Sequence, residues 1–169
     1  MMINKVKSDT ILSEFIVDQC DENGICVSID SDINRDSYVI IKVDDYYNSL
    51  QVAERPASVD CLIIHECING GYGFALVELK NISTSRYFCT DNIKEKFETS
   101  LYDFIKIRFA EILDSEFKKI KLYFVSNKEL YKRDLGLKLE TLINLRFNFN
   151  EKRLMIEPRM PTPTIKKCY

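Results

Sequence analysis

Two apolar runs separated by a glycine-rich break constrain this chain most. Val59-Asp60-Cys61-Leu62-Ile63-Ile64-His65-Glu66 and Tyr72-Gly73-Phe74-Ala75-Leu76-Val77-Glu78-Leu79-Lys80 flank Cys67-Ile68-Asn69-Gly70-Gly71. β-Branched and aromatic residues bounded by Asn-Gly-Gly predict two antiparallel strands and a turn. With the turn centred on Asn69, Asp60 falls directly opposite Glu78, and Lys80 shares the Glu78 face because strand side chains alternate. Directly opposed side chains have Cβ atoms about 4.5–5.5 Å apart, so the hairpin brings two carboxylates and an ammonium together.

Other segments build around it. Tyr38-Val39-Ile40-Ile41-Lys42-Val43 and Ile120-Lys121-Leu122-Tyr123-Phe124-Val125 are predicted strands, with shorter ones at Ile25–Ile29 and Leu154–Glu157. Ser8-Asp9-Thr10 caps a predicted short helix through Ile16, ending at the Asp21-Glu22-Asn23-Gly24 turn, and 44–50 is a turn or helical turn. Ile93, Phe97, Leu101, Phe104, Ile105, Phe109 and Ile112 recur at helical spacing, predicting a helix over 91–114; a second is predicted over 135–147. The fold class is α/β, a mixed central β-sheet flanked by helices. One domain over 1–157 is expected, with a proline-containing tail over 158–169 that stays out of helix and central sheet.

Composition sets limits. The chain has 169 residues, 46% of them hydrophobic, including ten Phe and nine Tyr, enough for a sizeable core. No apolar run approaches the roughly 18 residues of a membrane span, so no membrane partner is expected. Met1–Lys7 is followed by Ser8 and Asp9 rather than an apolar stretch, which makes a cytoplasmic location the expectation. Six cysteines, at 20, 26, 61, 67, 89 and 168, include no CxxC pair. Reduced thiols are expected there, with Cys26, Cys61 and Cys89 buried. The net charge of −2 is uneven: residues 1–60 carry −7 and residues 61–169 carry +5. The second part could therefore present a positive face to phosphates, or simply an ordinary solvated surface.

Adjacent carboxylates repel unless compensated, and a hard divalent cation compensates them well. Such a cation can polarise a phosphate and acidify water, while a neighbouring lysine stabilises developing negative charge. Asp60, Glu78 and Lys80 therefore suit phosphodiester hydrolysis; a structural ion pair between Lys80 and either acid is the competing interpretation. Lys94, Lys96, Lys128, Lys132 and Arg133 are candidate nucleic-acid contacts, and Tyr87 and Phe88 candidate stacking residues. His65, the only histidine, falls on the opposite face and reads as a hydrogen-bonding core residue.

Asp60 followed by Glu78-Leu79-Lys80, on a hairpin preceding a long helix, resembles the PD-(D/E)xK nuclease superfamily, which includes restriction endonucleases. The resemblance runs from about Ser8 to Val125. Val59 stands where the motif name has proline, and the chain carries one candidate strand more than the simplest core. It implies a restriction endonuclease-like core and a metal-dependent endonuclease acting on DNA, with Mg²⁺ as cofactor and Mn²⁺ as substitute. Asp60 and Glu78 would be metal ligands together with the Leu79 carbonyl, and Lys80 the catalytic lysine. Glu14, from the first helix, and Glu54, from the loop before Asp60, are possible additional acids. A homodimer or partner subunit is a family-level expectation. The alternative is a non-catalytic nucleic-acid-binding or protein-interaction subunit on the same fold.

Overall fold

The computed structural model describes residues 1–81, 88–127 and 133–169. Its elements in chain order are α1 (Met2–Ser8), a 3₁₀ turn (Leu12–Phe15), β1 (Ile16–Val17), β2 (Cys20–Glu22), β3 (Ile25–Ile29), a second 3₁₀ turn (Arg35–Ser37), β4 (Tyr38–Lys42), α2 (Val43–Ser49), β5 (Cys61–Glu66) and β6 (Tyr72–Lys80). Then follow α3 (Thr90–Glu98), a π-wound stretch (Thr99–Arg108), α4 (Ala110–Leu113), β7 (Phe117–Ser126), α5 (Arg133–Asn144), β8 (Phe147–Phe149), β9 (Lys152–Leu154), β10 (Ile156–Arg159) and β11 (Thr164–Ile165). The central sheet has the order β1-β4-β5-β6-β7-β10. It is mixed: β1, β4, β5 and β6 pair antiparallel, whereas β7 and β10 join in parallel.

The architecture has three layers because the central strands are apolar on both faces. Leu62, Ile64, Leu76, Leu122 and Phe124 belong to the core beneath α1, α2 and the α3–α4 rod. The alternate residues Cys61, Ile63, Ala75, Val77, Leu79 and Val125 pack under the small sheet β11-β3-β2. Tyr46 of α2 makes edge contacts with Phe15, Phe104 and Phe109 at ring-centroid separations of 5.2–5.6 Å. Such contacts contribute roughly 0.5–1.5 kcal/mol each beyond burial, and they hold α2 against the rod.

The predicted hairpin forms in the expected register, with Cys61 opposite Val77 and Glu66 opposite Tyr72. Gly70 and Gly71 close its turn at φ 73° and 76°, a left-handed conformation that side chains with a Cβ resist. The predicted 91–114 helix forms as three consecutive segments, here called the rod: its middle is π-wound, as in the Phe109 N–H bond to the Phe104 carbonyl five residues back, and Phe109, at φ −122° and ψ 30°, leaves helical geometry before α4. Its apolar spacing fits either winding.

Several expectations are corrected. The first helix is Met2–Ser8, and Asp9 turns the chain by accepting the Ile11 and Leu12 N–H groups. The Asn23-Gly24 turn joins β2 to β3 as a hairpin instead of ending a helix, both residues having positive φ. β8 and β9 form a hairpin after a helix that ends at Asn144 rather than Phe147. The 158–169 segment is structured. Pro158 and Arg159 belong to β10, the edge of the central sheet, where a missing N–H is tolerated, and Thr164–Ile165 pair with β3.

The cysteines also differ from expectation. Cys20 is joined to Cys61 and Cys67 to Cys168, with Cα separations of 6.2 and 4.6 Å. Cys26 is half-buried and Cys89 exposed, both as thiols. The first bond ties the small sheet to β5; the second ties the C-terminal segment to the β5–β6 turn. Pairing is the pattern of a non-reducing environment, and the spacing that argued against zinc carried no information on tertiary proximity. Gly73 permits the second closure: a Cβ there would lie 3.0 Å from both the Cys168 sulfur and His65 Nε2. Among the described residues no helix is long and apolar enough to cross a membrane.

Alkylation without reductant should label only Cys26 and Cys89 and leave two cross-linked peptide pairs. Cys168→Ser should lower unfolding free energy by about 2–4 kcal/mol. Labelling of all six cysteines in native, unreduced protein would contradict the pairing.

Candidate active site

Asp60 immediately precedes β5, and continuing the β5–β6 register sets it opposite Glu78. Three backbone contacts fix it. The Asp60 carbonyl accepts the Val43 N–H at 3.0 Å, and Asp60 Oδ2 accepts the Leu79 N–H at 2.6 Å. The preceding Val59 N–H donates to Ser100 Oγ at 3.1 Å, while Ser100 donates to the Lys96 carbonyl at 2.8 Å. Thus α2, β6 and the long rod all meet at one residue.

Glu78 is fully buried, in register with Phe124 of β7. Its Oε1 lies 2.7 Å from Lys96 Nζ and 3.3 Å from Lys80 Nζ. Its Oε2 is buried and accepts no hydrogen bond among the described residues. The other buried side-chain oxygens without a hydrogen-bond partner among the described residues are Asp44 Oδ1, Ser126 Oγ and Asn127 Oδ1. Asp44 faces the same cavity as Asp60, and Ser126 is in register with Lys80. Four unsatisfied oxygens therefore gather at one end of the sheet, where native proteins normally leave few. A cavity of about 520 Å³ opens there, lined by Glu22, Asp44, Asp60, Lys80 and Lys96, with Arg55 and Ser58 on its loop side.

The electrostatics follow from burial. Removal from water, with the Glu78 charge beside it, pushes the Asp60 carboxyl up to about 8, despite opposing contributions from the Leu79 N–H and Lys96. Burial raises Asp44 above the ordinary carboxylate range, although Lys42, 3.8 Å away, opposes it. For Lys96, burial alone would favour loss of the proton; the charge and hydrogen bond of Glu78 and the charge of Asp60 outweigh it and raise its pKa.

The other candidates divide. Lys96 lines the cavity and donates to Glu78. Lys94 is exposed and pairs with Glu98 at 3.7 Å. Glu14 and Glu54 are exposed, and neither lines the cavity. Phe88 is buried against Phe124, ring centroids 5.5 Å apart, as a core residue. His65 is buried, its Nδ1 3.4 Å from the Glu66 carbonyl. Tyr87, Lys128, Lys132 and the Arg133 side chain lie outside the described residues. Sequence reading missed Asp44, Glu22, Ser100 and Ser126. Of these, only the Asp44-Asp45 pair directly after a confident strand gave a signal.

Among the described residues no group of three or more His, Cys, Asp or Glu side chains forms a metal cage. The donor set is smaller: the Asp60 carboxylate, which lines the cavity, and Glu78 Oε2, buried opposite it without a hydrogen-bond partner among the described residues, both hard oxygens on fixed backbone. That chemistry fits a Mg²⁺-type ion that retains several waters. No family model, curated protein or solved structure matches the chain.

Because folded Asp60 holds its proton to about pH 8 and an unfolded aspartate only to about 4, the native state binds the extra proton between those values. Stability should fall as pH rises through that window and level off above it. At about 1.4 kcal/mol per pKa unit the contribution is on the order of several kcal/mol. Asp60→Asn should flatten the slope and gain stability relative to wild type at pH 8.5, as read by urea unfolding across pH 5–9; parallel curves would contradict the assignment.

Proposed function

We propose that the chain is a divalent-metal-dependent nuclease that hydrolyses phosphodiester bonds, with DNA as substrate. The observation that carries this reading is Glu78: a fully buried carboxylate with one oxygen held by two lysines and the other without a hydrogen-bond partner among the described residues, opposite Asp60, which lines an open cavity together with Lys80 and Lys96. Apolar strands rarely bury such a group without use for it. The resemblance of Asp60 and Glu78-Leu79-Lys80 to the PD-(D/E)xK pattern points the same way, with a restriction endonuclease-like core as the finer fold assignment.

In this reading Asp60 and Glu78 hold the ion, with the Leu79 carbonyl as a further oxygen ligand. When bound, Mg²⁺ would polarise a phosphoryl oxygen and make water more acidic. Lys80 is about one-third exposed, so its ammonium reaches the cavity while staying anchored to Glu78. It orients the attacking water and stabilises charge developing on the phosphoryl oxygens. Water attacks phosphorus and gives up a proton to bulk water, the bond to the leaving sugar oxygen breaks, and that oxygen takes a proton from bulk water. Lys96, half-buried in the cavity wall, positions the Glu78 carboxylate. Arg55, steadied by Asn48 at 2.8 Å, is placed to meet a flanking phosphate. A homodimer or partner subunit would supply the second cut on a duplex. A cytoplasmic setting goes with the thiol forms of the four paired cysteines, and a non-reducing setting with the disulfides.

One observation favours the non-catalytic alternative: Lys80 and Lys96 already neutralise Glu78 Oε1, so a structural ion cluster at a binding surface needs no cation.

Labelled duplex, single-stranded and branched DNA, with an RNA control, separate the two. The nuclease reading expects cleavage with Mg²⁺ or Mn²⁺, none with EDTA, a loss of at least about 100-fold in Glu78→Gln, and a smaller loss in Lys80→Met. Binding of nucleic acid without cleavage by both wild type and variants would favour the non-catalytic reading; cleavage unchanged in Glu78→Gln would remove the site assignment.

A further inference from the structure

The sheet face turned away from the helices carries a second concentration of charge. β7 presents Lys119, Lys121 and Tyr123 on one side at two-residue intervals. β10 runs beside it, with Glu157 in register with Tyr123 and Arg159 with Val125. The C-terminal segment passes over this face because β11 pairs with β3 and Cys168 is bonded to Cys67. Between them lies a cavity of about 430 Å³ whose lining includes Lys119, Lys121, Arg159, Lys166, Tyr123 and His65.

Four cations from three segments therefore converge on one hollow. Glu157 offsets one charge by accepting from Lys121 and, at 2.7 Å, from Arg159. It also orients both: the Arg159 guanidinium is fixed further by lying 5.1 Å from the Tyr123 ring centroid. Lys119 and Lys166 make no ion pair among the described residues. Asp30 and Asp32 line an adjoining hollow that shares those lysines, yet neither comes within ion-pair distance of them. Burial, helped by the Lys119 charge and opposed by the Glu66 carbonyl, lowers the pKa of His65 and so disfavours a further positive charge in the hollow.

Clustered like charges repel, and a concave, partly apolar wall strengthens their field at a bound anion. The volume is that of a small-ligand pocket, and a fixed guanidinium among lysines suits the oxygens of a phosphate group. We propose that this pocket binds a phosphorylated small molecule through its phosphate groups, with Lys119, Lys121, Arg159 and Lys166 as the contacts. It lies on the opposite sheet face from Glu78 and toward the other end of β6, so it stands independently of the nuclease reading.

Titration calorimetry in about 0.15 M salt with EDTA tests it, with inorganic pyrophosphate, a nucleoside triphosphate, an unphosphorylated nucleoside and a short single-stranded oligonucleotide as probes. Pyrophosphate and the triphosphate should bind and the nucleoside should not. Lys119→Gln and Lys166→Gln should each weaken that binding by about tenfold, and Glu78→Gln should leave it unchanged. No binding of either phosphate probe by wild type would overturn the proposal, as would unchanged affinity in Lys119→Gln. Binding of the oligonucleotide alone would also overturn it, by assigning the pocket to a nucleic-acid backbone.

Discussion

Burying two carboxylates at the end of an apolar sheet is costly, and the surroundings of Asp60 and Glu78 supply the compensation. Charge is matched by Lys96 from the long rod and Lys80 from β6 itself, 2.7 and 3.3 Å from one Glu78 oxygen. Asp60 is removed from water beside the Glu78 charge and favours its protonated form, although the Leu79 N–H it accepts opposes this. These contacts come from α2, β5, β6 and the rod, so a shift in any one disturbs the others. The Tyr46 aromatic contacts and the Ser100 hydroxyl brace the ends of that arrangement.

The small sheet and the C-terminal segment have a different role. They cover the second apolar face of the central strands, and two disulfides close that cover. One bond starts at Cys61, directly after Asp60, so the layer that carries Glu22 is covalently tied to the strand leading from the site. Two chemically distinct regions result: an acid-and-lysine cluster on the helix side and a basic pocket on the other.

Much of this was legible in the sequence where the signal is local. The β5–β6 hairpin follows from Asn69-Gly70-Gly71 between two β-branched runs, and its period of two places Asp60 opposite Glu78. The long rod follows from the spacing of Ile93, Phe97, Leu101 and Phe104, although that spacing does not distinguish α from π winding. What was not legible depends on distant parts of the chain. Cys20 and Cys61 are 41 residues apart and Cys67 and Cys168 are 101 apart, and no spacing rule encodes such pairings. Pro158 marked the tail as irregular, yet an edge strand accommodates a proline with no loss of pairing on its inner side. Lys96 looked like one surface lysine among many; only the packing of the rod over β6 turns it toward Glu78.

The most direct test of the central claim is a binding isotherm for Mn²⁺, followed by the loss of its free-ion electron paramagnetic resonance signal, at pH 8.5 and without nucleic acid. Wild type should bind one saturable equivalent, lost in both Asp60→Asn and Glu78→Gln and retained in Glu157→Gln. Absence of saturable binding in folded wild-type protein, or binding that survives loss of the Glu78 carboxylate, would show that this cluster is held together by its lysines alone.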